Sequence, residues 1–215
     1  MTTRPERLRQ LLHQHRLVAI LRAHNGDHLI PATRTLLDAG LRCIEITLPT
    51  PGSLAAIHAA RTAAGDGTLI GAGTVLTPGD VRRAAEAGAD FIVCPHSEES
   101  VLATANDLGL GSLPGAFTPT EALHASRLGA TAVKLFPAGS LSPAYLTALA
   151  GPLPHLPFVP TGGITIDSAS RWLAAGAIAV AVGSPLLGDA LSSGDLDQLH
   201  TRARAFVSAV ERRPA

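Results

Sequence analysis

Short apolar runs typical of β-strands alternate along this chain with stretches rich in alanine, leucine and charge. Eight such runs occur, and successive ones begin 19 to 26 residues apart. They cover 17–22, 43–48, 69–74, 91–95, 110–115, 132–137, 158–163 and 177–184. Strict alternation of strand and helix is typical of parallel strands joined by crossover helices. Eight repeats predict an α/β fold, a closed (β/α)8 TIM barrel with an N-terminal helix.

The ends of the predicted helices carry their own signals. A glycine follows an alanine- or leucine-rich stretch at Gly40, Gly88, Gly129 and Gly176. Glycine adopts the left-handed conformation that ends many helices. A hydroxyl residue precedes proline, as at helix starts, in Thr77-Pro78, Thr118-Pro119 and Ser142-Pro143. No linker divides the chain, so we expect one domain over 1–215.

A doubly wound open sheet is the alternative fold. Its first strand is typically followed by Gly-x-Gly-x-x-Gly, whereas this chain has Arg22-Ala23-His24-Asn25-Gly26 at that point. The barrel is therefore the favoured prediction.

Charge and composition exclude several classes of partner. Acidic and basic residues balance to a net charge of +0, and aromatics are only 3% of the chain. Nucleic acids and anionic membranes select clustered basic charge, so we expect neither as a partner. The apolar runs are too short to cross a membrane, and no signal peptide is evident. The two cysteines, Cys43 and Cys94, form no disulfide framework, which predicts a cytoplasmic protein.

The basic residues comprise sixteen arginines and a single lysine, Lys134. Side chains alternate between the two faces of a strand. The apolar neighbours of Lys134 should face the helices, so Lys134 itself points into the barrel. The same alternation points Glu45 inward from the second strand. The only lysine and a strand carboxylate are thus expected to share one small interior.

This pairing favours a metal-independent, class I aldolase that needs no cofactor. Burial disfavours the ammonium form of lysine, and the free amine attacks carbonyl carbons to form a Schiff base. The resulting iminium accepts electrons when a carbon–carbon bond breaks. Glu45 can then move protons, directly or through water. The alternative is a structural ion pair between Lys134 and Glu45.

Glycines end the last two β runs. Thr161-Gly162-Gly163 closes the seventh run and Gly183-Ser184 closes the eighth. Loops after strands 7 and 8 form a recurring phosphate site in barrels of this kind. The alternative is that these residues form tight turns only.

Several segments together resemble the 2-keto-3-deoxy-6-phosphogluconate aldolase family. They are EITL at 45–48, IGAGTV at 70–75, PG at 114–115, TPTE at 118–121, VKLFP at 133–137, FVPTGG at 158–163 and VGS at 182–184. The resemblance implies a homotrimeric barrel and a class I aldolase that releases pyruvate and glyceraldehyde 3-phosphate from a small 2-keto acid. Some family members also cleave 4-hydroxy-2-oxoglutarate, to pyruvate and glyoxylate.

The resemblance also implies roles for individual residues. Lys134 corresponds to the Schiff-base lysine, Glu45 to the general acid and base, and Thr74 to a threonine that binds the substrate carboxylate. The implied phosphate cradle consists of Gly162, Gly163 and Ser184, and Gly183 beside Ser184 is a further expected substrate-binding residue. The implied pocket-lining residues are Pro95, Phe136 and Thr161.

One position departs from the family pattern. Some members carry an arginine after the strand that bears the glutamate, where this chain has Leu48-Pro49-Thr50. Arg22 is the only arginine at the carboxyl end of a predicted strand, and strand 1 should adjoin strand 2. We therefore expect Arg22 to bind the substrate carboxylate in its place. The alternative is that Arg22 merely caps the barrel mouth.

Other features do not predict a site. The nine histidines show no zinc-like spacing, so we expect no metal. His96 and Cys94 follow the fourth strand, where a loop histidine and a small buried cysteine are the simpler interpretations. Three functional alternatives stay open: a 2-keto-3-deoxy-6-phosphogalactonate aldolase, a phosphate-binding isomerase or synthase, and a non-catalytic sugar-phosphate sensor.

Overall fold

The strands of the molecule curl into a closed barrel. The computed structural model describes residues 2–211. The strands are β1 (Leu17–Leu21), β2 (Cys43–Thr47), β3 (Leu69–Gly73), β4 (Phe91–Val93), β5 (Gly111–Leu113), β6 (Gly115–Ala116), β7 (Val133–Leu135), β8 (Phe158–Pro160) and β9 (Val180–Val182).

Two sheets make up this barrel. The first has the order β5-β4-β3-β2-β1-β9 and the second the order β6-β7-β8, with parallel pairings throughout. A parallel bridge from Thr161 to Ala181 joins β8 to β9. On the other side, β5 continues into β6 through Pro114. The predicted α/β barrel is confirmed.

The predicted strand bounds need correction. Six of the predicted runs are one to three residues longer than their strands, and the other two differ further. The run 110–115 is two short strands, because Pro114 has no N–H to donate to the ladder. Its carbonyl still accepts the Lys134 N–H at 2.9 Å, which keeps the barrel closed. The run 177–184 is a strand only over Val180–Val182, since helix begins at Ser184.

The helices cover the outside of the barrel, and α1 precedes it as predicted. They are α1 (Arg4–His15), α2 (Leu29–Asp38), α3 (Ser53–Ala63), α4 (Pro78–Glu86), α5 (Glu99–Asp107), α6 (Pro119–Arg127), α7 (Pro143–Ala150), α8 (Ile166–Ala174), α9 (Ser184–Leu187), α10 (Ala190–Ser193) and α11 (Leu196–Glu211). One turn of 3₁₀ helix lies at Ala138–Ser140. Within residues 2–211, no helix is both long and apolar enough to cross a bilayer.

The predicted helix boundaries are confirmed. The hydroxyls of Thr77, Thr118 and Ser142 each accept a backbone N–H from the first turn of the helix that follows. The four predicted glycines all have positive φ, between 86° and 105°. Local chemistry alone therefore decides these helix ends.

The apolar core has two layers separated by the strands. The outer layer lies between strands and helices and includes Ile44, Ile46, Val133 and Leu135. Because these residues face outward, their neighbours Glu45 and Lys134 face the barrel interior, as the alternation predicts. Both are buried, with exposed fractions of 1% and 7%.

The inner layer fills the amino-terminal half of the barrel, which we call the floor. Strand residues such as Val18, Leu69 and Phe91 meet Leu8 and Leu12 of α1 there. Both leucines are 0% exposed, and burying a leucine side chain contributes about 1.5–3 kcal/mol. The floor closes one end of the barrel, which leaves the carboxyl ends of the strands, the mouth, for a site.

Candidate active site

A cavity of about 590 Å³ opens at the mouth of the barrel. Its lining contains every residue that the sequence predicted for the site. These are Arg22, Glu45, Thr74, Pro95, Lys134, Phe136, Thr161, Gly162, Gly163, Gly183 and Ser184. Residues from seven segments, far apart in sequence, thus meet in one place.

Lys134 enters the cavity from the middle of β7. Its Nζ lies 4.8 Å from the centroid of the Phe136 ring, two residues further along the chain. An ammonium or iminium cation is attracted to the face of an aromatic ring at this distance. Phe136 therefore both limits the motion of the lysine and stabilises positive charge on its nitrogen.

Glu45 faces the same cavity from β2. Its Oε2 is buried and has no hydrogen-bond partner among residues 2–211. Burial raises the pKa of this carboxyl above its ordinary value of 4.5, while the charges of Lys134 and Arg22 act in the opposite direction. An unpartnered buried oxygen is costly in a folded protein and often marks a place where a ligand or water binds. Glu45 is thus available for proton transfer.

The room for Glu45 depends on a glycine in the neighbouring strand. Gly73 pairs with Thr47 in the β2–β3 register. A Cβ at position 73 would lie 1.8 Å from Glu45 Oε1. The sequence analysis did not single out Gly73 for this role, although a glycine inside a strand is a known signal of close approach.

Arg22 and Thr74 follow β1 and β3, the two strands that flank β2 and its Glu45. The Arg22 Nη2 donates to Thr74 Oγ1 at 2.9 Å. Thr74 has a φ of 56°, a left-handed conformation that is costly for a β-branched residue and concentrates at functional sites. Because its oxygen accepts from Arg22, its hydroxyl proton is free to point elsewhere. The pair presents adjacent donors, an arrangement suited to a carboxylate.

The loop after β1 that carries Arg22 is anchored to the loop after β2. The hydroxyls of Thr47 and Thr50 are 2.9 Å apart, and Thr50 Oγ1 accepts the Ala23 N–H at 3.2 Å. A Cβ on Gly26 would lie 2.1 Å from the Pro51 carbonyl oxygen. These supports escaped the sequence analysis, because nothing in the local pattern shows which loops lie side by side.

Backbone N–H groups line the wall beside β8 and β9. Gly162 and Gly163 have φ of 91° and 75°, and a Cβ on Gly163 would lie 3.1 Å from Gly139 Cα. Among the described residues, no acceptor bonds the N–H of Gly162, Gly163 or Ser184. Several free donors around one cavity form an anion-binding surface.

The outer rim of the cavity contains residues that the sequence analysis missed. They include His24 and Asn25 from the loop after β1, and Asp189, Leu191 and Ser192 from the segment around α10. The unpredicted lining residues also comprise Ile20, Ala23, Pro185, Leu187 and Gly188. No periodicity or motif in the sequence distinguishes these residues.

The residues set aside earlier stay apart from this chemistry. Burial raises the pKa of the Cys94 thiol to about 12, so it does not supply a thiolate. His96 is not among the lining residues, although its Nδ1 has no partner within the described chain. Over residues 2–211, no three His, Cys, Asp or Glu side chains are placed to hold a metal ion.

Comparison with known proteins matches the chain, rather than individual site residues, to one family. A family model described as KDPG and KHG aldolase aligns with residues 8–201. The chain belongs to this aldolase family. KDPG is 2-keto-3-deoxy-6-phosphogluconate, so the resemblance found in the sequence is confirmed. Aldolases are lyases, and this chain is accordingly an enzyme of that class that acts on small molecules.

Individual relatives in the aldolase family agree over nearly the whole chain. A probable 2-dehydro-3-deoxy-6-phosphogalactonate aldolase of Rhizobium meliloti (strain 1021) is 37% identical, covering 91% of this chain and 91% of its own. A 2-dehydro-3-deoxy-phosphogluconate aldolase of Treponema pallidum (strain Nichols) is 33% identical, covering 88% and 91%. A solved structure described as native KDPGal has a TM-score of 0.85 at 35% identity, covering 91% and 94%.

Proposed function

We propose that this aldolase works through a Schiff base on Lys134 and cleaves phosphorylated 2-keto-3-deoxy sugar acids to pyruvate and an aldehyde phosphate. The observation that carries the proposal is the placement of Lys134 and Glu45, both buried, in one cavity beside free anion-binding donors. The alternative is a purely structural ion pair between Lys134 and Glu45. Such a pair would not require an open cavity beside it, and it would not leave a Glu45 oxygen without a hydrogen-bond partner.

The proposed reaction begins with attack by the Lys134 amine on the C2 carbonyl of the substrate. Water leaves and a protonated iminium forms. Glu45 takes the proton of the C4 hydroxyl, the C3–C4 bond breaks, and its electrons move into the iminium to give an enamine. The aldehyde leaves, Glu45 returns the proton to C3, and water releases pyruvate from the lysine.

The two ends of the substrate fit two walls of the cavity. The carboxylate next to the attacked carbonyl meets Arg22 and Thr74, which supplies the cation missing at Pro49 and Thr50. The phosphate meets the N–H groups of Gly162, Gly163, Gly183 and Ser184. Pro95, Phe136 and Thr161 line the space between. This assignment supports phosphorylated substrates over 4-hydroxy-2-oxoglutarate, which carries a second carboxylate and no phosphate.

The leading substrate is 2-keto-3-deoxy-6-phosphogluconate, cleaved to pyruvate and glyceraldehyde 3-phosphate. The galactonate epimer is the second candidate. The name of the Rhizobium meliloti relative and the description of the native KDPGal structure favour it. The epimers differ only in the direction of one hydroxyl, so the same residues serve either one.

Reductive trapping tests the Schiff base directly. Pyruvate and borohydride together should inactivate the enzyme and add the mass of a reduced pyruvyl group to the one peptide that contains Lys134. EDTA should leave activity unchanged. Activity lost in EDTA and restored by a divalent metal contradicts the class I assignment. Absence of both trapping and cleavage favours the isomerase, synthase or sensor alternatives.

A substrate panel tests the specificity. The enzyme should cleave one phosphorylated epimer with a kcat/KM well above that for 4-hydroxy-2-oxoglutarate. The matched control is the dephosphorylated form of the same sugar acid, which should show a raised KM. Equal kcat/KM for the phosphorylated and dephosphorylated acids contradicts the phosphate assignment.

We also propose that the chain forms a homotrimer in the cytoplasm, as the family resemblance and the two free cysteines suggest. Sedimentation should give three times the chain mass of 22.0 kDa. A monomer at micromolar concentration contradicts this proposal.

A further inference from the structure

One arginine outside the cavity holds the segment that carries Ser184. Arg202, on α11, donates from Nε to the Leu186 carbonyl at 3.0 Å and from Nη2 to the Leu187 carbonyl at 2.7 Å. Its Nη1 donates to Gln198 Oε1 at 3.2 Å. The guanidinium thus bonds two consecutive carbonyls as a fork and is itself held on its own helix.

The bonded carbonyls end a helix of a single turn. α9 runs from Ser184 to Leu187, and the Leu187 N–H donates to the Gly183 carbonyl at 3.0 Å. One turn is too short to be stable alone, and its last carbonyls have no partner within the helix. Arg202 satisfies two of them, and a cation at that end of a helix is favourable.

The backbone next to α9 is shaped around the same guanidinium. Gly188 has a φ of 56°, and a Cβ there would lie 2.7 Å from Arg202 Nη2 and 2.8 Å from its Cζ. A side chain at position 188 would therefore push the arginine away. The missing side chain at Gly188 and the two hydrogen bonds to carbonyls are separate features, and both fix the position of the Arg202 guanidinium.

We infer that Arg202 is a positioning residue for the phosphate-binding wall. By fixing the carbonyls of Leu186 and Leu187, it holds the turn whose first residue, Ser184, presents its N–H to the substrate anion. Arg202 does not line the cavity, so it acts through α9 rather than by touching the ligand. The inference rests on the proposed function, in which the phosphate binds at Ser184.

A selective effect follows from where the two halves of the substrate bind. The keto-acid half of the substrate meets Lys134, Glu45 and Arg22. None of these three side chains is hydrogen-bonded to Arg202. Loosening the turn misplaces the donor at Ser184 and leaves the attacked carbonyl where it was. Arg202 should therefore matter for phosphorylated substrates and little for unphosphorylated ones.

Replacing Arg202 by methionine keeps the aliphatic stem and removes the fork. Arg202→Met should raise KM for the phosphorylated substrate by roughly 10-fold, in line with the loss of hydrogen bonds from a charged group. KM for 4-hydroxy-2-oxoglutarate and the rate of pyruvate trapping should stay within about twofold. Arg202→Lys should recover only part of the loss, because an ammonium cannot bond both carbonyls as a fork.

The matched control is Arg204→Met on the same helix. Within residues 2–211, Arg204 donates no hydrogen bond, and its Nη1 lies near Gly40 on another side of α11. This variant loses the same charge and should show wild-type KM for both substrates. A KM increase equal to that of Arg202→Met points to overall charge and overturns the inference.

A second variant tests the route through Gly188. Gly188→Ala should displace the guanidinium and reproduce the KM increase for the phosphorylated substrate. In an Arg202→Met background the part of the loss that comes from displacing the guanidinium should disappear, and only the backbone strain of a side chain at a φ of 56° should add. Additive losses in the double variant contradict action through Arg202.

Inorganic phosphate separates this inference from the proposed reaction. Phosphate should raise the Tm of wild type and Arg204→Met, and raise that of Arg202→Met less. An equal increase in all three, or kcat losses shared by both substrates, overturns the positioning role. If the wild-type enzyme forms no reducible adduct with pyruvate, the proposed function is refuted. In that case the phosphate-dependent shift in Tm still tests the positioning role of Arg202.

Discussion

Polar groups at the floor of the barrel are paired with one another and with the backbone, whereas a buried carboxylate oxygen at the mouth has no hydrogen-bond partner within the described residues. At the floor, Arg61 Nη1 pairs with Asp90 Oδ2 at 2.7 Å and also donates to the Thr68 carbonyl at 2.6 Å. Asp90 Oδ2 further accepts the Ile70 N–H at 2.9 Å. At the mouth, Glu45 Oε2 has no partner among the described residues.

This contrast separates the end of the barrel that contributes stability from the end where we propose that the reaction takes place. A satisfied buried polar group costs little, whereas an unsatisfied one costs about 1–3 kcal/mol. The floor joins its charges to backbone and packs α1 against the strands. The mouth keeps donors and acceptors free for a ligand, and the rest of the fold offsets that cost. Function at the mouth and stability at the floor is the usual division in such barrels.

Lys134 should give the largest effect on activity. Lys134→Ala removes the amine that we propose forms the Schiff base, so both turnover and borohydride labelling should fall to background. Lys134→Arg keeps a cation near Phe136 but cannot form an iminium, and should be as inactive. Mass spectrometry after trapping checks both variants. Residual labelling in either one places the Schiff base on another amine.

Glu45 should give the next largest effect. Glu45→Gln keeps the shape and removes the base, so kcat should fall by about 10²–10⁴-fold. Slow trapping of pyruvate should persist, because Lys134 is unchanged. Gly73→Ala should lower kcat as well, since its Cβ displaces the Glu45 carboxylate. Near-normal turnover of Glu45→Gln shows that another group moves the proton.

The pH profile provides a second measure of Glu45. Burial raises the pKa of this carboxyl, so it keeps its proton to a higher pH than an ordinary glutamate. The base form is therefore lost as pH falls, and kcat should decline on the acid side at a pH above 4.5, the ordinary value. This acid limb should be absent in Glu45→Gln. The same limb in both enzymes assigns it to a different group.

Arg22 should give an intermediate effect. Hydrogen bonds to charged groups contribute about 1.5–3 kcal/mol, so Arg22→Ala should lower kcat/KM by roughly 10–150-fold. Arg22→Lys should recover part of the loss, because an ammonium lacks the planar fork. Pyruvate affinity is the deciding measurement. An unchanged value in Arg22→Ala shows that the carboxylate is held elsewhere.

Substitutions at the floor should have the smallest effect on activity and a large effect on the free energy of unfolding. Leu12→Ala opens a cavity under the barrel and should lower the free energy of unfolding by about 2–5 kcal/mol. kcat per trapped active site should stay near wild type. Gln10→Ala, at an exposed position of the same helix, is the control. A large fall in kcat for Leu12→Ala shows that floor and mouth are coupled.

Much of the fold could be predicted because its signals are local. A glycine after a helix, a hydroxyl before proline, and alternation along a strand each act over a few residues. Pro114 shows where this fails. Its run is predicted to be one strand, but Pro114 breaks it, and only the structure shows that one half pairs with β4 and the other with β7.

Part of the lining of the candidate site could be predicted from the sequence, but its contacts could not. Parity along β2 and β7 placed Glu45 and Lys134 inside the barrel, and every predicted residue lines the cavity. The rim residues around His24 and Asp189 carry no pattern. Neither does Arg202, whose role depends on where α11 packs.

By itself, the sequence determined the order of strands and helices, the inward direction of Lys134 and Glu45, and the glycine-rich ends of the last two runs. Tertiary structure alone decided that Arg22 bonds Thr74, 52 residues away, and that Gly73 makes room for Glu45. The physical reason is the separation along the chain over which each interaction acts. Periodicity and capping act between neighbours in the chain, whereas these contacts exist only once the barrel closes and fixes the register of its strands.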